Sequence, residues 1–236
     1  EPLKGPAVAQ AERAAATFAR VRDGIGRTIF GQRDVIDQSL ITLLSGGHGL
    51  LIGVPGLAKT RLVEALGVVL GLDWKRIQFT PDLMPADIIG SEVLDDANGT
   101  REFRFIRGPV FAQLLMADEI NRASPRTQSA LLQAMQERHV TVAGARNDLP
   151  VPFHVIATQN PLEQEGTYPL PEAQLDRFLM QIDVGYPDEA SERKMLLATT
   201  FGEEEGLSTL CGPNDLIEAQ KIVRRIPVGE TVVDAI

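Results

Sequence analysis

The chain has little of the chemistry that marks several large classes of protein. A single cysteine, Cys211, among 236 residues rules out an internal disulfide and suits a reducing compartment. Basic residues are outnumbered, with 23 Lys and Arg against 32 Asp and Glu, which gives a net charge of −9. A broad basic surface for nucleic acid is therefore not expected, although a local basic strip remains possible.

Long apolar segments are also missing. No run approaches the length that spans a bilayer, and charged residues occur throughout positions 1–30, which excludes a secretory signal as written. We therefore predict a cytoplasmic protein without a membrane span. The three histidines, His48, His139 and His154, have no metal-ligand spacing, so no zinc site is expected. Because the chain begins at Glu1, we expect the natural N-terminus to precede it.

Alternating helical and strand patterns predict an α/β fold, with a mostly parallel sheet covered on both faces. Apolar spacing predicts helices at residues 7–25, 34–45, 61–70, 128–138, 189–201 and 213–225. Buried strands are predicted at residues 50–52, 74–80, 114–117 and 153–157, and residues 175–183 close the core.

Two segments interrupt this alternation. Residues 81–107 are irregular, with a turn-forming run at 95–99 and a half-hairpin at 102–106, and are interpreted as an insertion on the core. Farther along, residues 140–142, a turn through 144–148 and residues 151–158 are predicted to form a hairpin that runs into a core strand.

The most informative segment is the octapeptide Gly53-Val54-Pro55-Gly56-Leu57-Ala58-Lys59-Thr60, which joins a predicted strand to a predicted helix. A glycine-rich turn in that position, ending in Lys-Thr, predicts a phosphate-binding loop. Its backbone N–H groups would face the anion, Lys59 adds a positive charge, and the Thr60 hydroxyl can ligate Mg²⁺. The alternative is a Gly/Pro turn that happens to precede a helix, with Lys59 solvated.

One position departs from the general phosphate-loop pattern. Ala58 stands directly before the lysine, where that pattern has glycine. We expect alanine to be tolerated there only if its φ is negative.

Four further residues are candidates for chemistry. Asp118 follows the apolar run Leu114-Leu115-Met116-Ala117, where it could reach a Mg²⁺ bound by Thr60, and Glu119 could polarise an attacking water. The alternative is a solvated acidic turn after a strand.

The other two candidates are polar residues farther along the chain. Asn160 ends a predicted strand and could contact the γ-phosphate or simply start a turn before Pro161. Arg177 could pair with Asp176 or project into the nucleotide site of a neighbouring subunit.

Taken together, four motifs resemble the MoxR family of AAA+ ATPases over residues 29–236. They are the phosphate loop, Leu115-Met116-Ala117-Asp118-Glu119-Ile120-Asn121-Arg122, Ala157-Thr158-Gln159-Asn160-Pro161, and Leu170-Pro171-Glu172-Ala173-Gln174-Leu175-Asp176-Arg177-Phe178. The resemblance implies a Walker A motif at residues 53–60, a Walker B motif with Asp118 on Mg²⁺ and Glu119 activating water, sensor 1 at Asn160 and an arginine finger at Arg177.

The same resemblance implies an ATP site whose other contacts lie around the loop. The implied ATP-contacting residues are Gly31, Gln32, Gly53, Pro55, Gly56, Leu57, Ala58, Lys59, Thr60, Arg61 and Asp118. Gly31 and Gln32 match the family segment that contacts adenine. Thr60 and Asp118 are the implied Mg²⁺ ligands, and Arg122 and Arg126 could face a subunit boundary.

Domain organisation and partners also follow from the resemblance. It implies a core at residues 1–186, with inserts at about 81–107 and 140–151, and a partial helical lid at 187–236. It implies a ring, usually hexameric, that works on a protein client with a von Willebrand A-type partner to mature or load metal into enzyme complexes. The family's sensor 2 arginine is not found, so we expect the chain to stop inside the lid and to hydrolyse ATP weakly.

Two other functions remain in competition with a protein-remodelling ATPase. One is a DNA-dependent motor of the related helicase branch, in which the hairpin around Arg146 would touch DNA, although Asp148 and the net negative charge disfavour it. The other is a nucleotide-gated binding module without turnover.

Overall fold

The computed structural model describes residues 6–95, 101–163, 166–201 and 206–234. Its longer helices are α1 (Pro6–Gly26), α2 (Arg33–Leu44), α3 (Lys59–Val69), α5 (Pro125–Glu137), α7 (Glu189–Phe201) and α8 (Pro213–Val223). The short helices are α4 (Pro85–Ile89), α6 (Glu172–Leu175) and α9 (Glu230–Val233). Its strands are β1 (Gly49–Ile52), β2 (Trp74–Gln78), β3 (Gly90–Asp95), β4 (Glu102–Arg107), β5 (Leu114–Asp118), β6 (His139–Val142), β7 (Ala145–Asp148), β8 (His154–Gln159) and β9 (Met180–Asp183).

The central sheet has the strand order β2-β5-β8-β1-β9, and all of its neighbouring strands pair in parallel. The predicted α/β fold with a parallel sheet is therefore confirmed. Because the strands run the same way, β1, β5 and β8 end at one edge, where Gly53, Glu119 and Asn160 follow them. The carboxyl edge of an open parallel sheet is where such folds bind ligands.

Apolar side chains alternate between the two faces of this sheet and fill two cores. In β1, Leu51 joins the core made with α1, α2 and α3, whereas Leu50 joins the core made with α4 and α5. In β5, Met116 and Leu115 divide in the same way. All of β5 is buried, as expected for a central parallel strand covered by helices on both faces.

The predicted insertion is a helix followed by a hairpin. After α4, β3 and β4 pair antiparallel from Gly90↔Arg107 to Asp95↔Glu102. Most of the turn-forming run at 95–99 lies outside the described residues. The base of the hairpin is fixed to the domain by Phe105, whose ring packs edge-on against Phe111 at 5.7 Å between centroids.

The first strand of the second predicted hairpin pairs with a different segment from the one predicted. The strand at 139–142 pairs with β7, from His139↔Asp148 to Val142↔Ala145, and not with residues 151–158, so that prediction was wrong. Ala143 and Gly144 have φ values of 47° and 81° and form a two-residue turn, as short hairpins require. Residues 145–148, expected to be a turn, are therefore strand, and β8 belongs to the central sheet.

The C-terminal helices differ in how they contact the rest of the chain. Helix α8 packs on α1 and α2, and its Leu216 and Ala219 are buried in the same apolar core. In α9, by contrast, Val232 and Val233 are more than half exposed. Within the ranges that the structure describes, no helix is both long and apolar enough to cross a membrane.

Candidate active site

The loop between β1 and α3 forms one wall of a cleft of about 420 Å³ at the carboxyl edge of the sheet. The residues that line the cleft are Pro55, Gly56, Leu57, Ala58, Lys59, Thr60, Arg61, Glu64, Asp118, Glu119, Thr158 and Asn160. Three segments far apart in sequence thus meet in one cavity. At the base of the loop, a Cβ on Gly53 would lie 2.6 Å from the carbonyl oxygen of Val184, so only glycine fits there.

Ala58 adopts a left-handed conformation, with φ 55° and ψ 20°, so the expectation of a negative φ was wrong. The reason is that Ala58 is the N-cap of α3 and turns the chain from the loop into the helix. For a residue with a Cβ this conformation costs about 1–2 kcal/mol, and such strain is typical of functional loops. No side chain caps α3, so the amides of its first turn are left for an anion.

Lys59 folds back across the loop that precedes it. Its Nζ donates to the carbonyl oxygens of Gly53 at 2.6 Å and Val54 at 2.7 Å. Partial burial lowers the pKa of Lys59, whereas the nearby carboxylates of Asp118 and Glu119 act to raise it. The ammonium is therefore held at the cleft by the loop itself, next to the amides that could receive phosphate.

Asp118 ends β5 with its carboxylate almost fully buried, at 11% side-chain exposure. Its Oδ1 accepts a hydrogen bond from the Thr158 hydroxyl on β8, at 2.5 Å. Its Oδ2 accepts from the Arg76 guanidinium on β2, at 2.5 Å from Nη2 and 3.1 Å from Nε. The alternative of a solvated acidic turn is thus excluded for Asp118.

Glu119 also has a strained backbone, with φ 55° and ψ 49°. This conformation turns its side chain into the cleft, where Oε2 accepts from Gln78 Nε2 at 2.7 Å and from Arg122 Nη1 at 2.9 Å. Both contacts fall on the same carboxylate oxygen. A non-glycine residue in this region at a cleft is a common feature of functional sites.

Asn160 follows β8 and lines the same cleft as the phosphate loop. Its Oδ1 accepts a hydrogen bond from the backbone N–H of Leu162, at 3.1 Å. The side chain therefore also stabilises the turn through Pro161, as the structural interpretation of this residue predicted. Asn160 thus lines the cleft, where a phosphate contact was predicted, and also starts the turn, which was the alternative.

Comparison with known proteins agrees with this geometry. Residues 48–180 match the ATPase family associated with various cellular activities (AAA), and this range contains the loop, Asp118, Glu119 and Asn160. The chain is 47% identical over 218 residues to chaperone MoxR1 of Mycobacterium tuberculosis, covering 92% of this chain and 57% of that protein. The chain belongs to the MoxR family of AAA+ ATPases.

Two further relatives support the assignment. Protein MoxR of Paracoccus denitrificans is 36% identical over 188 residues, which cover 75% of this MoxR-family chain and 54% of that protein. A crystal structure of a candidate ATPase from Cytophaga hutchinsonii superposes with a TM-score of 0.86 at 41% identity, covering 96% of this chain and 68% of that one. The chain thus spans little more than half the length of the curated relatives it matches.

Arg177, the predicted arginine finger of this MoxR-family chain, does not line the cleft. Its Nη1 donates to the carbonyl oxygen of Leu132 on α5, at 2.8 Å, rather than pairing with Asp176. Together with Gln133, Gln136 and Gln174 it lines a separate surface hollow. Within one copy, the structure therefore does not bring Arg177 together with the phosphate loop.

Gly31 and Gln32 lie against the segment that joins the sheet to α7. Gln32 Nε2 donates to the carbonyl oxygen of Gly185 at 2.7 Å. Gly31 has a φ of 69°, and a Cβ there would lie 2.6 Å from Ser191 Cβ and 2.8 Å from Pro187 Cβ. The close approach of these segments explains the need for glycine, and it fixes Gly31 and Gln32 beside the start of α7.

The cleft suits Mg²⁺ by the chemistry of its donors. A buried carboxylate, Asp118, and the Thr60 hydroxyl at the start of α3 line the same cavity, and hard oxygen donors are what Mg²⁺ prefers. Among the described residues, no group of three or more His, Cys, Asp or Glu could form an all-protein metal site.

Cys211 and two histidines are buried and outside the cleft. Burial raises the pKa of the Cys211 thiol to about 11, so it is not a nucleophile at neutral pH. Burial lowers the pKa of His48 to about 3 and that of His154 to about 4. None of these three side chains lines the cleft.

Three residues that contact the acidic pair were not predicted. Arg76, Gln78 and Thr158 touch Asp118 or Glu119, but they lie on strands about 40 positions away in sequence. The available signal was polar Arg76 and Gln78 alternating with apolar Ile77 in a strand predicted to enter the core. Only the register of β2 with β5, which pairs Gln78 with Asp118, makes that signal specific.

Proposed function

We propose that this chain binds ATP with Mg²⁺ in the cleft, hydrolyses it, and uses the energy to remodel a protein client. The observation that carries the proposal is the convergence of the phosphate loop, Asp118, Glu119 and Asn160 on one cavity at the edge of the sheet. The family assignment and a relative named chaperone support both the nucleotide and the kind of work.

The roles of the residues follow from their chemistry. The amides at the start of α3 and the Lys59 ammonium would hold the β- and γ-phosphates, and Thr60 with Asp118 would hold Mg²⁺. Bound Mg²⁺ supplies positive charge that stabilises the phosphoryl oxygens as the bond to the leaving oxygen breaks. These groups bind and orient the triphosphate, but they do not activate water.

Glu119 is the proposed base. Its carboxylate would orient a water for in-line attack on the γ-phosphorus and take up a proton as the new P–O bond forms and ADP leaves. Asn160 lines the same cleft and would contact the γ-phosphate or that water. Gln78 and Arg122, which now bind Oε2 of Glu119, would have to leave room for this role.

The proposed site is completed between copies. Because Arg177 lies on a different surface from the cleft, it would reach the γ-phosphate of an adjoining copy in a ring, which we propose to be hexameric. A finger of this kind contributes roughly 10³ to 10⁵ in rate. Arg122 and Arg126 would lie near the same boundary.

Further assignments rest on family likeness. We propose that Gly31 and Gln32 contact adenine, that residues 1–186 form the core and 187–236 part of a lid, and that a von Willebrand A-type partner helps to mature or load metal into a client complex. We propose that the protein works in the cytoplasm, where ATP is present and where a reducing environment keeps thiols such as the buried Cys211 reduced. We also propose that this length of chain hydrolyses ATP weakly by itself, since it spans 57% of MoxR1.

The DNA-motor alternative is disfavoured by the hairpin that would carry it. The Nε of Arg146 lies 2.8 Å from Asp148 Oδ1, and both side chains are exposed, so β7 presents one charge of each sign and no net positive charge. An ATPase assay of the full-length protein, with and without DNA, tests the proposal. We expect turnover that is independent of DNA and faster than that of the 236-residue chain.

Three results would count against parts of the proposal. Absent turnover would favour a binding module, and stimulation by DNA would favour a motor. Equal rates for the two lengths of protein would contradict the weak activity assigned to this chain.

A further inference from the structure

The two acidic residues of the cleft are joined by a continuous polar network that runs along β2. Arg76 Nη2 donates both to Asp118 Oδ2, at 2.5 Å, and to Gln78 Oε1, at 2.8 Å. Gln78 in turn donates from Nε2 to Glu119 Oε2, at 2.7 Å. The carboxylate assigned to Mg²⁺ and the carboxylate assigned to water are thus connected through two side chains of one neighbouring strand.

We infer that Arg76 is a positioning residue that competes with Mg²⁺ for Asp118, and that it must leave this carboxylate when Mg²⁺ and nucleotide bind together. The inference rests on the proposed function of the same cleft. It assigns to Arg76 the charge balance of Asp118, and it makes the energy of Mg²⁺ binding depend on breaking one named ion pair.

The competition follows from the atoms that Arg76 occupies. Thr158 already takes Oδ1 of Asp118, and two guanidinium N–H groups converge on Oδ2, so both carboxylate oxygens have donors. A divalent cation at the same carboxylate would also lie close to the guanidinium charge, and like charges at such separations repel strongly when partly shielded from water. Arg76 and Mg²⁺ therefore compete for the negative charge of Asp118 and for the space beside Oδ2.

Arg76 is more accessible to water than its partner. The Arg76 side chain is 45% exposed, compared with 11% for Asp118, so the guanidinium can exchange Asp118 for water, whereas the buried carboxylate needs another cation in its place. Asp118 is held by Thr158 and by its place at the end of a buried strand. Because Nη2 of Arg76 also binds Gln78, its departure would release one contact of the amide that holds Glu119.

The test measures how strongly Mg²⁺ assists nucleotide binding, without any turnover. Calorimetry with full-length protein would give the dissociation constant of the non-hydrolysable analogue AMP-PNP in EDTA and again with excess Mg²⁺. The dissociation constant in EDTA divided by that in Mg²⁺ measures the coupling between metal and nucleotide, and a larger ratio means that Mg²⁺ assists binding more. Arg76→Gln removes the charge and keeps a side chain that can hydrogen-bond, so it should raise this ratio about tenfold relative to wild type.

Two further variants make the result specific. Arg76→Lys keeps a charge but cannot bind Asp118 and Gln78 with the same fork, so its ratio should lie between wild type and Arg76→Gln. It also serves if Arg76→Gln does not fold. Lys75→Gln removes the same charge from the adjacent, exposed position of β2, which points to the other face of the strand, and should leave the ratio unchanged.

The possible outcomes separate the alternatives. If both dissociation constants of a folded Arg76→Gln variant equal those of wild type, Arg76 has only a structural role. If both constants weaken by the same factor, so that the ratio is unchanged, Arg76 binds phosphate. Either result overturns the inference. A wild-type protein that binds no AMP-PNP under either condition would instead overturn the proposed function itself.

Discussion

Thr158 and Asp118 are joined by a hydrogen bond of 2.5 Å between neighbouring strands, from the threonine Oγ1 to the aspartate Oδ1. The same oxygen of Thr158 accepts from the backbone N–H of Glu119, at 2.8 Å. One fully buried hydroxyl therefore fixes both acidic residues of the cleft. This makes Thr158, which lies two residues before Asn160 in the same motif, a determinant of the site.

The first prediction concerns this hydroxyl. Thr158→Val keeps the shape but removes the donor to Asp118 Oδ1 and the acceptor of the Glu119 amide, which costs about 1–3 kcal/mol of unfolding free energy. We expect ATP turnover to fall about tenfold even where the variant is folded, as misplacement of catalytic groups does. Thr158→Ser keeps the hydroxyl and should retain turnover. Equal turnover in the Val and Ser variants would show that the hydroxyl does not position the site.

The second prediction separates binding from hydrolysis. Glu119→Gln removes the proposed base but keeps the size of the side chain, so ATP should still bind while turnover falls by about 10² to 10⁴. Radiolabelled ATP retained on the protein and phosphate release measure the two effects. Glu218→Gln, which alters an exposed ion pair with Lys221, is the control and should behave as wild type. Undiminished turnover in Glu119→Gln would assign the base elsewhere.

The third prediction tests whether the site is shared between copies. Lys59→Ala should lose nucleotide binding in its own cleft, and Arg177→Ala should fail to complete its neighbour's. Mixing the two inactive proteins produces some interfaces with an intact loop and an intact arginine, so partial activity should return. Activity should also rise steeply with protein concentration. No recovery in a mixture that does assemble would mean that Arg177 does not act across the boundary.

The fourth prediction concerns acid. Burial lowers the pKa of His154 to about 4 from its ordinary 6.5, while its ring contacts the Gly47 carbonyl oxygen and Gln220 Nε2. Below about pH 6.5 the unfolded chain takes up a proton that the folded protein refuses, so stability falls until the pH reaches the folded value. His154→Gln should reduce the loss between pH 7.5 and 5.5 by roughly 1 kcal/mol, measured by urea unfolding.

The control for this effect is His139→Gln, at the start of the β6–β7 hairpin, where the ring lies beside Glu137. It should keep the acid sensitivity of the wild-type protein. If His154→Gln lost stability in acid as wild type does, the buried imidazole would not be the group responsible. His48, whose pKa is lowered first by burial and then by His154, should add a similar contribution.

Much of the cleft could be predicted because its main parts are local in sequence. The phosphate loop is a continuous turn between a strand and a helix, and Asp118 and Glu119 follow an apolar strand directly. Parallel strands bring such ends to one edge, so the meeting of Asn160 with the loop also followed. In these cases a short pattern is enough to fix both the element and the position of the side chain.

The features that were missed depend on pairing between distant segments or on strain. The pairing of β6 with β7 is set by a two-residue turn at Ala143 and Gly144. The polar residues of β7 looked like part of a longer turn. The φ of Ala58 is imposed by the turn into α3, against the intrinsic preference of alanine. The contacts of Arg76 need the register of β2 with β5, which no local pattern carries.

The central claim is that this cleft binds ATP through the phosphate loop, and calorimetry on the full-length protein with ATP and Mg²⁺ tests it most directly. We predict a clear heat of binding for wild type and for the exposed control Lys221→Ala, and an affinity at least about a hundredfold weaker for Lys59→Ala, because the charged contact to phosphate is lost. Absence of binding by folded wild-type protein, or equal affinity in Lys59→Ala, would contradict the account.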